Sequence, residues 1–475
     1  MVGGGAVPKL SQKIVVSVVY VAAVFMSILD STVVNVTLPA IARRFDVQPE
    51  QGHAVVIGYL LSLAVFMPAS GWLADRFGVK RVFLTALGLF VVASGLCGLA
   101  TSLPELVLFR IVQGAGGGML VPVGMTMVLR TFEPVERPRA TRMMNFATII
   151  APASGPVLGG LLTVQLSWRY VFFVNVPLGA LAFLFGLLFL TGGAEAVAGR
   201  FDVTGFLLSG FGFAAAVYAL SEGPDRGWDQ PDVIVTGLLG IGLLAALVLA
   251  ELRTDGPLLN LRLVGDNRPF RTGVGVQFLT SAAFLGVLYL MPQFLQTARG
   301  FNALSSGLTT FPEALGAMAS VQVIGRIYPR IGPRRLQLVG LALLSLDVGC
   351  MALIDLSTPQ WHITALMLVA GVSMGFVFMP TQTASFAAMP TAQLGQASAL
   401  YNVVRQLGSA TGVAGLSTVV AALGSDGDGP GLIAYRAGFF TAATFALLAA
   451  AIALTTRDSD AAATMRPRER VADRG

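Results

Sequence analysis

Five ionisable side chains interrupt long apolar runs in this sequence: Asp30, Arg110, Glu313, Asp347 and Arg405. A charge within hydrocarbon is expensive, so each is a candidate for moving or binding a charged species. Asp30 lies about sixteen residues into its run and Arg110 about five into its own, roughly 24 Å and 8 Å from opposite ends at the rise of a helix. The two therefore fall at similar depth. Side by side, the guanidinium would favour the ionised acid while burial favours the neutral one, opposed pulls that suit a group loading and releasing a proton. A static structural ion pair would use the same two residues. Glu313 and Asp347 fall near the middle of their runs, as second proton sites, as attractors for a cationic substrate, or as acids satisfied by polar neighbours. Arg405, with Asn402 and Gln406, forms a polar face that suits either substrate contact or helix packing.

The elements that hold these residues must be membrane helices. The 475 residues are 55% hydrophobic and 12% charged, whereas soluble domains carry about 25% charged residues. Runs of roughly 20 apolar residues match a ~30 Å hydrocarbon core, and they lack the strict alternation of an outer-membrane barrel. Fourteen spans are predicted: 14–38, 54–74, 82–101, 105–129, 140–165, 171–190, 203–221, 233–251, 270–295, 305–327, 336–356, 362–386, 396–423 and 436–456. An even number puts both termini on one side. With that side cytoplasmic, 23 of the 31 basic residues lie in cytoplasmic segments and 6 in external ones, the bias expected of that orientation. The first run is too long for a signal peptide core and no A-x-A site follows it, so it is expected to be a retained helix.

Other chemistries find no residues to carry them. Cys97, Cys350, His53 and His362 form no cluster with metal-ligand spacing, and neither metal nor disulfide framework is expected. Lys9, Lys13 and Lys80 are the only lysines and none closes a phosphate-binding G-x-x-x-x-G-K-[ST] loop. No cofactor is implied, and a proton gradient is left as the energy source. The net charge of +6 is spread over short loops rather than gathered in a basic domain, so nucleic acid is not an expected partner.

An internal repeat organises the chain. GWLADRFGVKR (Gly71 to Arg81) and GRIYPRIGPRR (Gly325 to Arg335) match at Gly71/Gly325, Arg76/Arg330, Gly78/Gly332 and Arg81/Arg335. The offset is eight spans, which predicts two six-helix halves (14–190 and 270–456) around a two-helix insert with its linkers (191–269). Repeated halves mark secondary transporters with a site between them, although two basic turns can also look alike by chance. The tails, 1–13 and 457–475, are polar and Ala/Gly/Arg-rich and are expected to lack packed structure. In span 140–165, Pro152, Gly155, Pro156, Gly159 and Gly160 strip side chain and backbone donors from one helix, which should kink and approach a neighbour closely, or serve ordinary small-residue packing.

Four segments together, LDSTVVNVTLP (Leu29 to Pro39), GWLADRFGVKR, LVLFRIVQGAGGG (Leu106 to Gly118) and SGPVLGG (Ser154 to Gly160), resemble the successive signatures of the major facilitator superfamily, specifically its fourteen-span drug:proton antiporters. WRYVFFVNVPLG (Trp168 to Gly179), FDVTG (Phe201 to Gly205) and GQASALYNVVRQLG (Gly395 to Gly408) extend the likeness over all but the tails. The resemblance implies an all-α fold of two six-helix halves plus two inserted helices. It implies that Asp30 takes part in proton or substrate coupling, that Arg110 assists, that the Pro152–Gly160 motif accompanies export, and that Asp75 helps to latch the cytoplasmic side. Gly71, Arg76, Gly78 and Arg81 belong to that inner gate, and Asn35 and Asn402 join Glu313, Asp347 and Arg405 as secondary candidates. Three positions depart from the pattern: Pro329 replaces the loop acid in the second repeat, Ala151 replaces a glycine, and Asn260 replaces an acid in PLLNLRL. Any latch at the second loop must therefore be asymmetric.

The expected function is proton-coupled export of lipophilic, often cationic small molecules by alternating access, performed by a monomer in the lipid bilayer, and no enzyme activity. A narrow-specificity exporter of a metabolite or self-made antibiotic shares these features, and a membrane receptor or integral membrane enzyme is the remote rival. The excess of Arg over Lys, with abundant Ala and Gly, suits a high-GC bacterial source and hence the bacterial cytoplasmic membrane.

Overall fold

Long apolar runs become helices because a backbone withdrawn from water must satisfy its own hydrogen bonds. The computed structural model describes residues 11–192, 199–423 and 431–465. The helices follow as α1 (Gln12–Phe45), α2 (Pro49–Gly52), α3 (Ala54–Phe66), α4 (Ala69–Phe77), α5 (Val79–Leu99), α6 (Leu103–Thr131), α7 (Arg137–Gln165), α8 (Tyr170–Phe173) and α9 (Asn175–Phe189). Then come α10 (Val203–Arg226), α11 (Pro231–Glu251), α12 (Arg262–Asp266), α13 (Arg268–Gln293), α14 (Ala303–Thr310), α15 (Pro312–Ile331), α16 (Pro333–Met351), α17 (Gln360–Ser385), α18 (Leu394–Leu423) and α19 (Leu432–Ala453). Polar caps set several starts: Ser102, Asp202, Asn267 and Asn302 each accept a hydrogen bond from an amide three residues on.

Among the described residues, ten helices are long and apolar enough to cross a membrane, or eleven if the bent pair α3–α4 counts as one span. The chain is a multi-span membrane protein. Helices α7, α15 and α16 fill three further predicted intervals but carry more polar residues, so fourteen spans do not follow from length and apolarity alone. The predicted 54–74 span is broken, with α3 and α4 meeting at 54°. Pro68 stands at the break, where it withholds an N–H and restricts Met67. The predicted 305–327 span divides likewise, at Phe311 ahead of Pro312.

Helices α1, α3, α5, α6, α7 and α9 pack on one another, as do α13 and α15–α19. In α6 the run from Gly114 to Gly118 lets backbones meet: a Cβ at Gly118 would lie 2.6 Å from the Leu63 carbonyl of α3, and one at Gly116 2.7 Å from the Ala86 carbonyl of α5. The insert helix α10 packs on α3 of the first group, on α18 of the second, and on α11.

The expectation for the 457–475 tail is overturned in its first part. Asp458–Thr464 forms a 3-10 helix in which Ala461 and Thr464 are buried. Thr464 Oγ1 and the Tyr328 hydroxyl are 2.9 Å apart, and Asp458 accepts from the Arg334 amide at 3.0 Å. The anchor is long-range contact rather than composition. Residues 1–10 and 466–475, the remainder of the two tails, lie outside the described residues.

Both tails leave from one end, here termed the basic end: Lys13 pairs with Glu136 at 2.7 Å, and the neighbouring Pro134–Glu136 turn packs on the Asp458–Thr464 helix. The Lys13 ammonium holds the Glu136 carboxyl below the usual range.

Candidate functional site

Asp30 and Arg110 lie side by side. Arg110 Nη1 donates to Asp30 Oδ2 at 2.5 Å, and both side chains are within 1% of full burial. Two amides complete the cluster. Gln113 Nε2 and Asn175 Nδ2 donate to Asp30 Oδ1 at 3.0 and 2.8 Å, while Gln113 Oε1 accepts from Arg110 at 2.8 Å. Asn175 is shared with Ser94 at 3.1 Å. Three donors thus converge on two carboxylate oxygens from α6 and α9. The Arg110 guanidinium also donates to the Val55 carbonyl at 3.3 Å and lies 4.1 Å over the ring of Tyr59.

Gln113 and Asn175 are site residues that the sequence reading does not name, since a lone amide in an apolar run fits helix packing equally well. Both were visible as polar interruptions, Gln113 three residues after Arg110 on the same helix face and Asn175 within WRYVFFVNVPLG.

Tyr59 separates this cluster from a central cavity of about 400 Å³ between the two helix groups. From the first group the cavity takes Tyr20, Ser27, Ser31, Tyr59, Met125, Asn145 and Pro152; from the second it takes Gln277, Phe284, Glu313, Phe378, Asn402, Arg405 and Gln406. Glu313, Asn402 and Arg405 are therefore brought together on one cavity. Asp30 and Asp347 are not on it. Asp347 is 3% exposed on α16, with neither carboxylate oxygen partnered among the described residues. Asn35 is exposed on α1, away from the cavity lining. At the floor, Gln382 and Asn402 of the second group both donate to the Met125 sulfur of the first, at 3.6 Å each. The methionine and phenylalanine contribution to the cavity carried no sequence signal, since such stripes fit packing equally well.

Below that floor the halves close at the basic end. A Cβ at Gly71 would lie 2.8 Å from the Gly395 carbonyl at the start of α18. Asp75 accepts from Arg130 at 2.6 Å and sits beside Gly395. Thr126 donates to the Leu394 carbonyl at 3.4 Å, and Arg137 donates to the carbonyls of Phe386 and Ala387 at the end of α17. The side chains of Arg76 and Arg81 are exposed and make no hydrogen bond to the described residues.

The repeat has a structural counterpart. Gly78 and Gly332 have φ of 86° and 88°, a region that favours glycine. Gly71 packs across the halves on α18, and Gly325 packs in the reciprocal sense on α7, where a Cβ would lie 2.7 Å from Arg142 Cδ. The two loops differ: Asp75 of the first pairs with Arg130, whereas Pro329 of the second lies beside Tyr328, which holds the Asp458–Thr464 helix.

In α7, a Cβ at Gly155 would collide with the Thr32 side chain, and one at Gly159 would lie 3.1 Å from the Val33 carbonyl, while nothing stands within 4 Å of Gly160. The motif seats α7 on α1 of its own group, with Pro152 on the cavity wall and Pro156 within the same unbroken helix.

The major facilitator superfamily model matches residues 20–413. The multidrug export protein EmrB of Haemophilus influenzae is 31% identical over 400 residues, covering 82% of this chain and 77% of that one. The multidrug resistance protein B homolog of Mycobacterium tuberculosis is 31% identical over 407 residues, covering 85% and 75%. Among solved structures, the human organic anion transporter MFSD10 superposes with a TM-score of 0.68 at 18% identity, over 94% of this chain and all of that one. The proton:xylose symporter XylE gives 0.61 at 16% identity, over 93% and 95%. With its fold, repeat and sequence in agreement, the chain belongs to the major facilitator superfamily of transporters.

Proposed function

We propose that this transporter is a proton-coupled antiporter that exports lipophilic, often cationic small molecules by alternating access. In this reading it crosses the bacterial cytoplasmic membrane fourteen times, acts as a monomer and keeps its basic end in the cytoplasm. The observation that carries it is the single aromatic ring, Tyr59, between a buried carboxylate–guanidinium pair and an amphipathic cavity. Multidrug names among the relatives support the substrate class.

The chemistry follows from hydrogen-bond arithmetic. Asp30 faces three donors on about four lone-pair sites, so a proton takes the remaining site on Oδ2, cancels the charge that holds Arg110 and loosens that donor. Displacing Arg110 disturbs Tyr59, and with it the cavity wall. Substrate pressing on Tyr59 acts in reverse, and that reciprocity is the requirement of an exchange cycle. One inward charge is worth about 2.3 kcal/mol per 100 mV, enough to sustain a substrate gradient. The halves meet at Gly71, Asp75 and Arg137, at the end this reading places in the cytoplasm, so the state described is closed on that side.

The test is proton release from purified protein on titration with candidate compounds at several pH values. Substrate-driven release that Asp30→Asn abolishes is the expected result. Wild-type release in that variant would move the coupling role to Glu313 or Asp347. Binding without any proton release across the panel would end the antiport reading.

A further inference from the structure

The central cavity holds a cation that forms no ion pair with a described residue. Arg405 stands on its wall, and of its five N–H donors only Nη2 meets an acceptor among the described residues, Asn402 Oδ1 at 3.3 Å. It makes no ion pair with a described residue. None of its nitrogens is both sealed and partnerless, so the unused donors open onto the cavity. Arg110 shows the contrast, since its guanidinium is spent on Asp30, Gln113 and Val55.

The surroundings fix what such a cation would meet. Asn402, Gln406 and Ser409 extend a polar patch along α18 beside it, and Tyr401 spends its hydroxyl on Gln277. Ile28, Leu60, Leu63, Phe284, Leu288 and Phe378 give the same cavity apolar walls. Glu313 adds one carboxylate, which has no hydrogen bond to a described residue and is not sealed either. A guanidinium withdrawn from bulk water and left unpaired is costly, and its planar fork matches carboxylate, sulfonate or phosphate oxygens.

We propose that Arg405 anchors an acidic group of the transported molecule, so that the cavity takes amphipathic acids and zwitterions, the basic centre of a zwitterion lying toward Glu313. The proposal rests on the export reading only for the direction of movement. Binding at Arg405 is a property of the cavity itself.

The experiment uses full-length protein in discs of neutral lipid with no proton gradient, and two fluorescent probes that share one apolar frame. Anilinonaphthalene sulfonate carries the anion, and N-phenylnaphthylamine lacks it. In the wild type the sulfonate binds more tightly. Arg405→Gln weakens sulfonate binding at least about tenfold and leaves the neutral probe within about twofold, because only the charge-assisted pair is lost. Arg405→Lys restores part of the sulfonate affinity. Equal losses for both probes, or none for the sulfonate, would overturn the assignment. If Arg405→Gln does not survive extraction, Arg405→Lys decides alone: a single ammonium must weaken the sulfonate selectively. Absence of proton-coupled flux would leave these affinities standing, and loss of the sulfonate preference would leave the antiport reading standing.

Discussion

Arg110 lies 4.1 Å over the ring of Tyr59, and that ring is also part of the cavity wall. The hydroxyl of Tyr59 is 3.4 Å from Ser27 Oγ, a weak contact, so the ring matters more than the oxygen. A desolvated cation–π contact contributes about 2 kcal/mol. Tyr59→Phe should therefore keep substrate-driven proton release, whereas Tyr59→Leu should cut it by about tenfold or more while leaving expression intact. Equal behaviour of the two variants in a stopped-flow proton assay would separate Tyr59 from coupling.

Asp30→Asn replaces an oxygen that accepts from donors with an amide that presents one. Whichever way the amide turns, its N–H₂ meets Arg110 or the Gln113–Asn175 pair. The variant should abolish proton release and lose stability, by about 1–3 kcal/mol for the unsatisfied donor. Thermal unfolding in detergent measures the second effect. Unchanged melting would show that the cluster rearranges freely.

At the basic end, Gly71→Ala places a methyl 2.8 Å from the Gly395 carbonyl. Backbone cannot yield as a side chain does, so the closed gate should loosen. In a protein lacking Cys97 and Cys350, a cysteine at Thr126, which is 1% exposed, should become accessible to a thiol reagent when Gly71→Ala is added. Equally slow labelling with and without the substitution would show that the gate tolerates the methyl.

Removing residues 458–475 deletes the Tyr328–Thr464 contact and the packing on the Pro134–Glu136 turn. That turn leads directly into Arg137, whose side chain holds the end of α17. Truncation should therefore resemble Arg137→Ala, with faster labelling at Thr126 and slower transport. The combination should add little to either alone, and full additivity would mean that the two act separately.

The proposed orientation is tested with cysteines at Ser221 and Ser459, both exposed. An impermeant reagent applied to intact cells should label the first and spare the second. Thr464 is unsuitable, being buried against Tyr328. Labelling at Ser459 would invert the assigned topology.

The buried pair was legible because a helix has a fixed rise, so position along two apolar runs gives depth. The loop repeat was legible because Gly78 and Gly332 answer a backbone demand that few residues meet. The amides of Gln113 and Asn175 were less so, since an amide is cheap enough in a membrane helix to pass for packing. The cavity residues Met125 and Phe378 could not be told from core by spacing alone. The Asp458–Thr464 helix has no local signal at all: its order comes from Tyr328 and Arg334, more than a hundred positions away.

Helix α10 touches both helix groups. Phe206 stacks edgewise on Phe66 of α3 at 6.1 Å, and Trp228, just beyond the far end of α10, donates to Thr418 of α18 at 2.8 Å. In the proposed alternating-access cycle the halves pivot, and α10 could not stay flush with each of them without sliding along one. In that cycle the insert would act as a bearing whose friction bounds the amplitude of the stroke. Lipid at the exposed flank of neighbouring α11 shares that load, so the turnover rate should vary with bilayer thickness.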